Sequence, residues 1–246
     1  MTTARKTPAR KAPATRAPRK AAPRKAAPKP TIITVMTAEL EQAIARVKPF
    51  ACTDEKLPVI NGVCLQLRDG VLTAAATDRF TFGANIIKPV GVGELPADFE
   101  VVIRLFELPI LLAALKRSRR GCDDVARVTL TIGSRQISVE GMRFGNAAMD
   151  VPFPDWRRLV ADAEQRADKL DPTLPEFTDI LVDPKLLRRF AQVSPRVELR
   201  VSGKSRPILA TSDNFIGLLM PVRELGDRST VLRRFGISVD KSEAAA

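Results

Sequence analysis

The sequence predicts an α+β protein with antiparallel sheets on one face and helices on the other. Three observations lead there. A strand, a helix and three strands recur in that order three times between residues 31 and 220. The strands are short, and several neighbours are joined by turns tight enough only for antiparallel pairing. Each repeat carries one amphipathic helix, whose apolar stripe needs a sheet to cover it.

The first repeat opens on Ile32-Ile33-Thr34-Val35-Met36, a β-branched strand. Thr37 is expected to cap a helix on which Leu40, Ile44 and Val47 recur at helical spacing, and Pro49 ends it. Strands follow over residues 59–67, 71–77 and 80–87, the first two joined by an Asp69-Gly70 turn. The second repeat places a strand at 99–104 and a helix at 107–116, with Leu108, Leu111, Leu112 and Leu115 on one side. Its strands fall at 125–132, 136–140 and 144–150, with Gly133-Ser134 as a turn. A polar linker over 157–177 separates the third repeat. There a strand at 179–182 runs into Asp183-Pro184, an N-cap followed by proline at the first helical position. The helix carries Leu186, Leu187 and Phe190, and strands follow at 197–201, 207–211 and 215–220, with Ser202-Gly203 as a turn. The domain reading is therefore a two-module domain over 31–156, the linker, a third module over 178–225 and a frayed tail over 226–246.

Composition excludes much chemistry. The formal net charge is +12, but residues 1–30 hold ten of the 40 Lys and Arg and no acid. The other 30 cations face 28 acids, so the body is near neutral. Proline about every fifth residue (Pro8, Pro13, Pro18, Pro23, Pro28) forbids a helix in this segment, which reads as an extended cationic tail. Such a tail neutralises phosphates without reading sequence; the plainer alternative is a solubilising extension. With no His and no Tyr, a histidine-based nucleophile and a histidine metal site are both impossible. Cys52, Cys64 and Cys122 are odd in number and widely spaced, as reduced thiols of a cytoplasmic protein would be. No apolar run reaches the roughly 18 residues of a membrane span. Gly203-Lys204-Ser205 lacks the upstream glycine of a phosphate loop, and Pro96 breaks the dinucleotide pattern after Gly91-Val92-Gly93. No catalytic, metal or cofactor site is expected.

Several motifs, in order, then resemble one family. Leu57-Pro58-Val59-Ile60-Asn61-Gly62-Val63, the Asp69-Gly70 turn and Ala76-Thr77-Asp78-Arg79-Phe80 resemble the bacterial sliding clamp, the beta subunit of DNA polymerase III. Pro152-Phe153-Pro154-Asp155-Trp156-Arg157-Arg158-Leu159 resembles its F-P-D-Y-R-R segment, and Leu218-Leu219-Met220-Pro221-Val222-Arg223 its C-terminal M-P-M-R. The resemblance covers about residues 31–225. It departs where Arg79-Phe80-Thr81 replaces the usual G-H-R step, and in size, because a family member has three domains of two modules each.

The resemblance implies the DNA-clamp, or processivity, fold built from βαβββ modules. It implies a non-enzymatic processivity factor that binds double-stranded DNA without sequence specificity and works with a DNA polymerase and a clamp loader. One chain cannot encircle a duplex, so ring closure would need self-association. The helices should face the DNA, where phosphate contact alone permits sliding. Lys116, Arg117, Arg119 and Arg120 at the end of the second helix, and Lys185, Arg188 and Arg189 on the third, are the candidate contacts. Their bland reading is solvated helix faces with cations favoured at C-terminal ends. The family's polymerase-peptide pocket falls on Ile60, Thr77, Arg79, Phe82, Pro154, Arg158, Leu159, Leu218, Met220, Pro221, Val222 and Arg223. Without the resemblance, Leu218 and Met220 would read as plain strand core. Two other classes stay open: a clamp-derived adaptor or regulator that binds DNA without encircling it, and a nuclease with unrecognised carboxylates.

Overall fold

Residues 31–36 form a strand because they are β-branched and find a partner. In this computed structural model, which describes residues 31–90, 98–119, 126–133, 136–145, 151–169, 180–201, 203 and 205–222, β1 (Thr31–Met36) runs directly into α1 (Thr37–Val47). The helix buries Leu40, Ala43, Ile44 and Val47, the stripe its spacing predicts. Thr37 does not cap it. Met36 holds the cap position, the Thr37 hydroxyl is buried without a partner, and the Thr37 N–H instead donates to the Ala126 carbonyl at 3.0 Å. A tertiary backbone bond has replaced the side-chain cap.

A 3₁₀ turn at Lys48–Phe50 leads to β2 (Gly62–Arg68), β3 (Val71–Thr77) and β4 (Thr81–Ile87). The turn between β2 and β3 has Asp69 and Gly70 at φ 50° and 77°, the left-handed pair a two-residue hairpin requires. β2 starts later than residue 59 because the Ile60 and Asn61 N–H groups both close a turn on the Leu57 carbonyl. β4 starts later than Phe80 because Asp78 Oδ1 accepts from the Phe80 and Thr81 N–H groups and from the Thr81 hydroxyl.

The second repeat is β5 (Phe99–Arg104), α2 (Leu108–Arg119), β6 (Arg127–Gly133), β7 (Gln136–Val139) and β8 (Met142–Phe144). β8 is earlier and shorter than the strand expected at 144–150. A left-handed turn at Glu140 and Gly141 (φ 49° and 81°) brings the chain back sooner, and residues 146–150 lie outside the described residues.

The polar linker expected over 157–177 is instead helical in its first part, as α3 (Trp156–Asp168), which starts on the last residue of the expected two-module domain. The third repeat then has α4 (Pro184–Leu187), continued as a 3₁₀ turn over Arg188–Gln192, and β9 (Glu198–Arg200), β10 (Ile208–Ser212) and β11 (Phe215–Leu219). Asp183 caps α4 as its position predicts, accepting from the Lys185 N–H at 2.8 Å, and Pro184 holds the first turn. The strand expected at 179–182 is missing among the described residues: Ile180–Val182 pair in no sheet.

The strands form two antiparallel sheets, one ordered β1-β6-β7-β8 and the other β5-β2-β3-β4-β11-β10-β9. Each of the first two modules lends its first strand to the other. β1 pairs β6 from Thr31↔Ile132 to Met36↔Arg127, while β5 pairs β2 from Phe99↔Leu67 to Arg104↔Gly62. The third module joins through β4 and β11, from Phe215↔Asn85 to Leu219↔Thr81.

Alternation sorts the seven-stranded sheet into two faces. Val63, Leu65, Leu72, Ala74, Phe215 and Leu219 face α1, α2 and the 3₁₀ turn with Phe190. Cys64, Ala75, Phe82, Ala84, Leu209 and Leu218 face the other way and are covered by Phe153, Trp156 and Ala163. The expectation of helices on one side holds for the module helices, and α3 is the exception. Its apolar stripe of Trp156, Val160 and Ala163 has an apolar sheet face to cover.

Candidate nucleic-acid interface and docking face

The module helices gather on one side. α1 and α2 pack together, and Glu41 of α1 lies 3.8 Å from Lys116 Nζ and 3.5 Å from Arg119 Nη1. Those cations remain 69% and 43% exposed, so the pairing is a weak surface contact that a phosphate can replace. Arg117, Lys185 and Arg188 are exposed and have no ion pair among the described residues. Arg120 lies outside the described residues.

Arg189 differs from the other candidates. Its guanidinium lies 2.5 Å from Asp78 Oδ2 and also donates to the Thr81 hydroxyl. Asp78 is 12% exposed and its other oxygen already organises the turn into β4. Arg189 therefore ties the third module to the first, a task its place in a basic cluster does not reveal. Beside it, Phe50, Phe190 and Phe215 meet with ring centroids 4.9 to 6.2 Å apart. Glycine is required under these rings: a Cβ on Gly83 would stand 2.7 Å from Phe50, and one on Gly217 would stand 2.8 Å from Phe190.

The opposite, outer face holds most of the residues expected to form the peptide pocket. Phe82 and Leu218 are cross-strand partners, and both belong with Ile60 to one buried cluster. Trp156 stacks on Phe82 with centroids 5.1 Å apart. The expected floor is thus filled by the chain's own aromatic side chain. Pro221 is buried and Met220 half-buried, its N–H donating to the Phe80 carbonyl. The Thr77 hydroxyl donates to the Thr81 carbonyl, so it serves the turn. Pro154, Arg158, Arg79, Leu159 (52%) and Val222 (40%) are the exposed members, and Arg223 lies outside the described residues. Arg79 sits at φ 80° with its guanidinium 6.0 Å from the Phe80 ring. The family's usual glycine at that step would meet the same backbone demand without strain.

The outer face also has a groove of about 870 Å³ that sequence reasoning missed. Ala84, Ile86, Ile216 and Thr73 floor it, Trp156 forms a wall, and Arg68, Arg157 and Arg196 stand with Asp69, Glu198 and Asp213 at its rim. It lies toward the other end of β4 and β11 from Phe82 and Leu218, and none of the residues expected to form the peptide pocket lines it, although Asp69, Trp156 and Arg157 of the clamp-like motifs do. Arg157 lies over the Trp156 ring at 4.3 Å and donates to Gln66 Oε1. Burial, and then the neighbouring Arg68 charge, push its pKa below the ordinary arginine value. The groove is assembled by the β4–β11 pairing and by α3, and no local pattern encodes that juxtaposition.

Among the described residues no cluster of three His, Cys, Asp or Glu could hold a metal, and no helix is long and apolar enough to cross a membrane. No protein-family model matches the chain, and no curated protein matches it. Solved structures do. The chain is similar to the DNA polymerase sliding clamp of Bacillus subtilis, with a TM-score of 0.57 and 16% identity over 84% of this chain and 68% of that one. It is similar to the beta subunit of the Streptococcus pyogenes DNA polymerase, with a TM-score of 0.56 and 18% identity over 83% and 69%. The Caulobacter crescentus pol III beta matches with a TM-score of 0.58 and 16% identity over 82% and 69%. The chain has the sliding-clamp fold, at about two thirds of those chains' length.

Proposed function

We propose that the chain is a sliding-clamp-like processivity factor. It binds duplex DNA along its helix side without reading sequence, and it tethers a DNA polymerase by a peptide docked on the outer face. It is an accessory subunit and not an enzyme. Its partners are double-stranded DNA, a polymerase, a clamp loader and further copies of itself, in the cytoplasm. One observation carries the reading: in a clamp fold, the exposed cations Lys116, Arg117, Arg119, Lys185 and Arg188 all belong to helices on the same side of the sheet. Contacts to phosphate alone cost little to break and remake at each step, which sliding requires.

The tether is assigned to the motif end of the outer face. Leu159 and Val222 supply exposed apolar contacts, and Met220 can adapt to different peptides. A labelled peptide from the polymerase's clamp-binding segment tests this. The double variant Leu159→Glu, Val222→Glu should bind it at least about tenfold more weakly. Ile86→Glu, in the groove, should leave binding unchanged. The reverse pattern would move the tether to the groove.

A further inference from the structure

The groove on the outer face has a length and a charge order that neither the duplex nor the tether uses. Strand residues paired across a ladder share a face, so the register places its floor. Ala84 pairs with Ile216, Ile216 with Thr211, and Thr211 with Glu198. One step along the strands, Thr73 pairs with Ile86, and a further step places Val71 against Arg68. The trough therefore crosses the strands from Arg68 on β2 to Glu198 on β9, over β3, β4, β11 and β10. Five strand spacings make about 24 Å, which an extended peptide of about seven residues spans. The volume of about 870 Å³ is at the upper end for a ligand site.

The floor is apolar and uncovered among the described residues. Val71 is 41% and Ile86 44% exposed, and Ile216 is half-buried. Apolar side chains grouped in a concave strip and rimmed by charge mark a contact surface. Ser212 and Asn214 add hydroxyl and amide groups that can bond a peptide backbone.

The two ends differ in sign. Arg68 and Arg157 stand with Asp69 at the β2 end, and Glu198 and Asp213 stand with Arg196 at the β9 end. None of these six side chains forms an ion pair among the described residues. Arg157 is held ready. Its guanidinium lies on the Trp156 indole and donates to Gln66 Oε1, and the Gln66 amide in turn donates to Glu100 Oε2 at 2.9 Å. Stacking and this bond fix its plane, and its other donors have no acceptor among the described residues. A guanidinium held this way is suited to grip a carboxylate through two parallel bonds.

We propose that the trough binds an extended segment of another protein, about seven residues long and apolar in the middle. A carboxylate at one end of that segment meets Arg68 and Arg157, and a Lys or Arg at the other end meets Glu198 and Asp213. A uniformly acidic or basic segment would be repelled at one end. The occupant is distinct from the tether peptide, because Leu159, Met220 and Val222 line no part of the trough.

Fluorescence anisotropy tests this with the full chain titrated to about 1 mM. The probes are two labelled heptapeptides with blocked ends and leucines in the middle. One begins with glutamate and ends with lysine, and the other has the two exchanged. One of them should bind. Ile86→Glu should weaken it at least about tenfold, whereas Leu159→Glu, Val222→Glu should leave it unchanged. The double variant Glu198→Lys, Asp213→Asn should reverse a preference: it should bind a version with glutamate at both ends more tightly than the original, and the unaltered chain should do the opposite. If neither heptapeptide bound the unaltered chain, whether the trough stays empty or another part of the chain lies in it, the proposal would be overturned. Binding that Ile86→Glu left unchanged, or a preference that the double variant kept, would overturn it too.

Discussion

Reversing Arg117, Lys185 and Arg188 to glutamate together is expected to abolish most duplex binding at low salt. Each of these side chains is exposed and unpaired among the described residues, so the change removes charge and leaves packing alone. If each neutralises one phosphate, the slope of log affinity against log salt should flatten by about 3. Two duplexes of unrelated sequence should be affected alike, because no base is read. Fluorescence anisotropy over a salt series measures both. Arg189→Glu belongs to a different experiment. It would break the contact with Asp78 and should show first as lost stability.

Phe50→Ala is expected to be the most damaging single core change. Phe50 is fully buried, on the helix side of the sheet, between a first-module glycine strand and two rings of the third module. Truncating a buried phenylalanine costs about 3–5 kcal/mol, against a typical domain stability of about 5–15 kcal/mol. The third module holds to the first chiefly by β4–β11, by Arg189 and by this ring cluster, so the loss should concentrate there. Urea unfolding should show a midpoint lowered accordingly. Hydrogen exchange should show β9, β10 and β11 opening before β2 and β3. A uniform loss over all strands would mean that the modules unfold as one unit.

Local chemistry was legible in the sequence. Asp183-Pro184 and Asp69-Gly70 carry their conformation in their own atoms, and both form as expected. Features that need a distant partner were harder to see. The apolar run Ile180-Leu181-Val182 has strand composition, but a strand exists only against another, and the described residues supply none. Thr37 had a cap's position, but Ala126 took its backbone donor. α3 was hidden because Trp156 is the one large side chain of a stripe otherwise made of Val160 and Ala163. The site divides the same way. The cations of α2 were visible as a cluster, whereas the role of Arg189 depended on Asp78, 111 residues away. The burial of Phe82 beneath Trp156 likewise depends on α3, whose polar composition resembles a linker.

Site-specific photocrosslinking tests the central claim most directly. A benzoylphenylalanine placed at Arg117 probes the helix side, and one placed at Leu159 probes the outer face. With duplex DNA of arbitrary sequence and the full chain, the account predicts crosslinks to DNA from position 117, lost at high salt, and none from 159. Crosslinks from 159 and none from 117 would put the duplex on the wrong side of the sheet and contradict it.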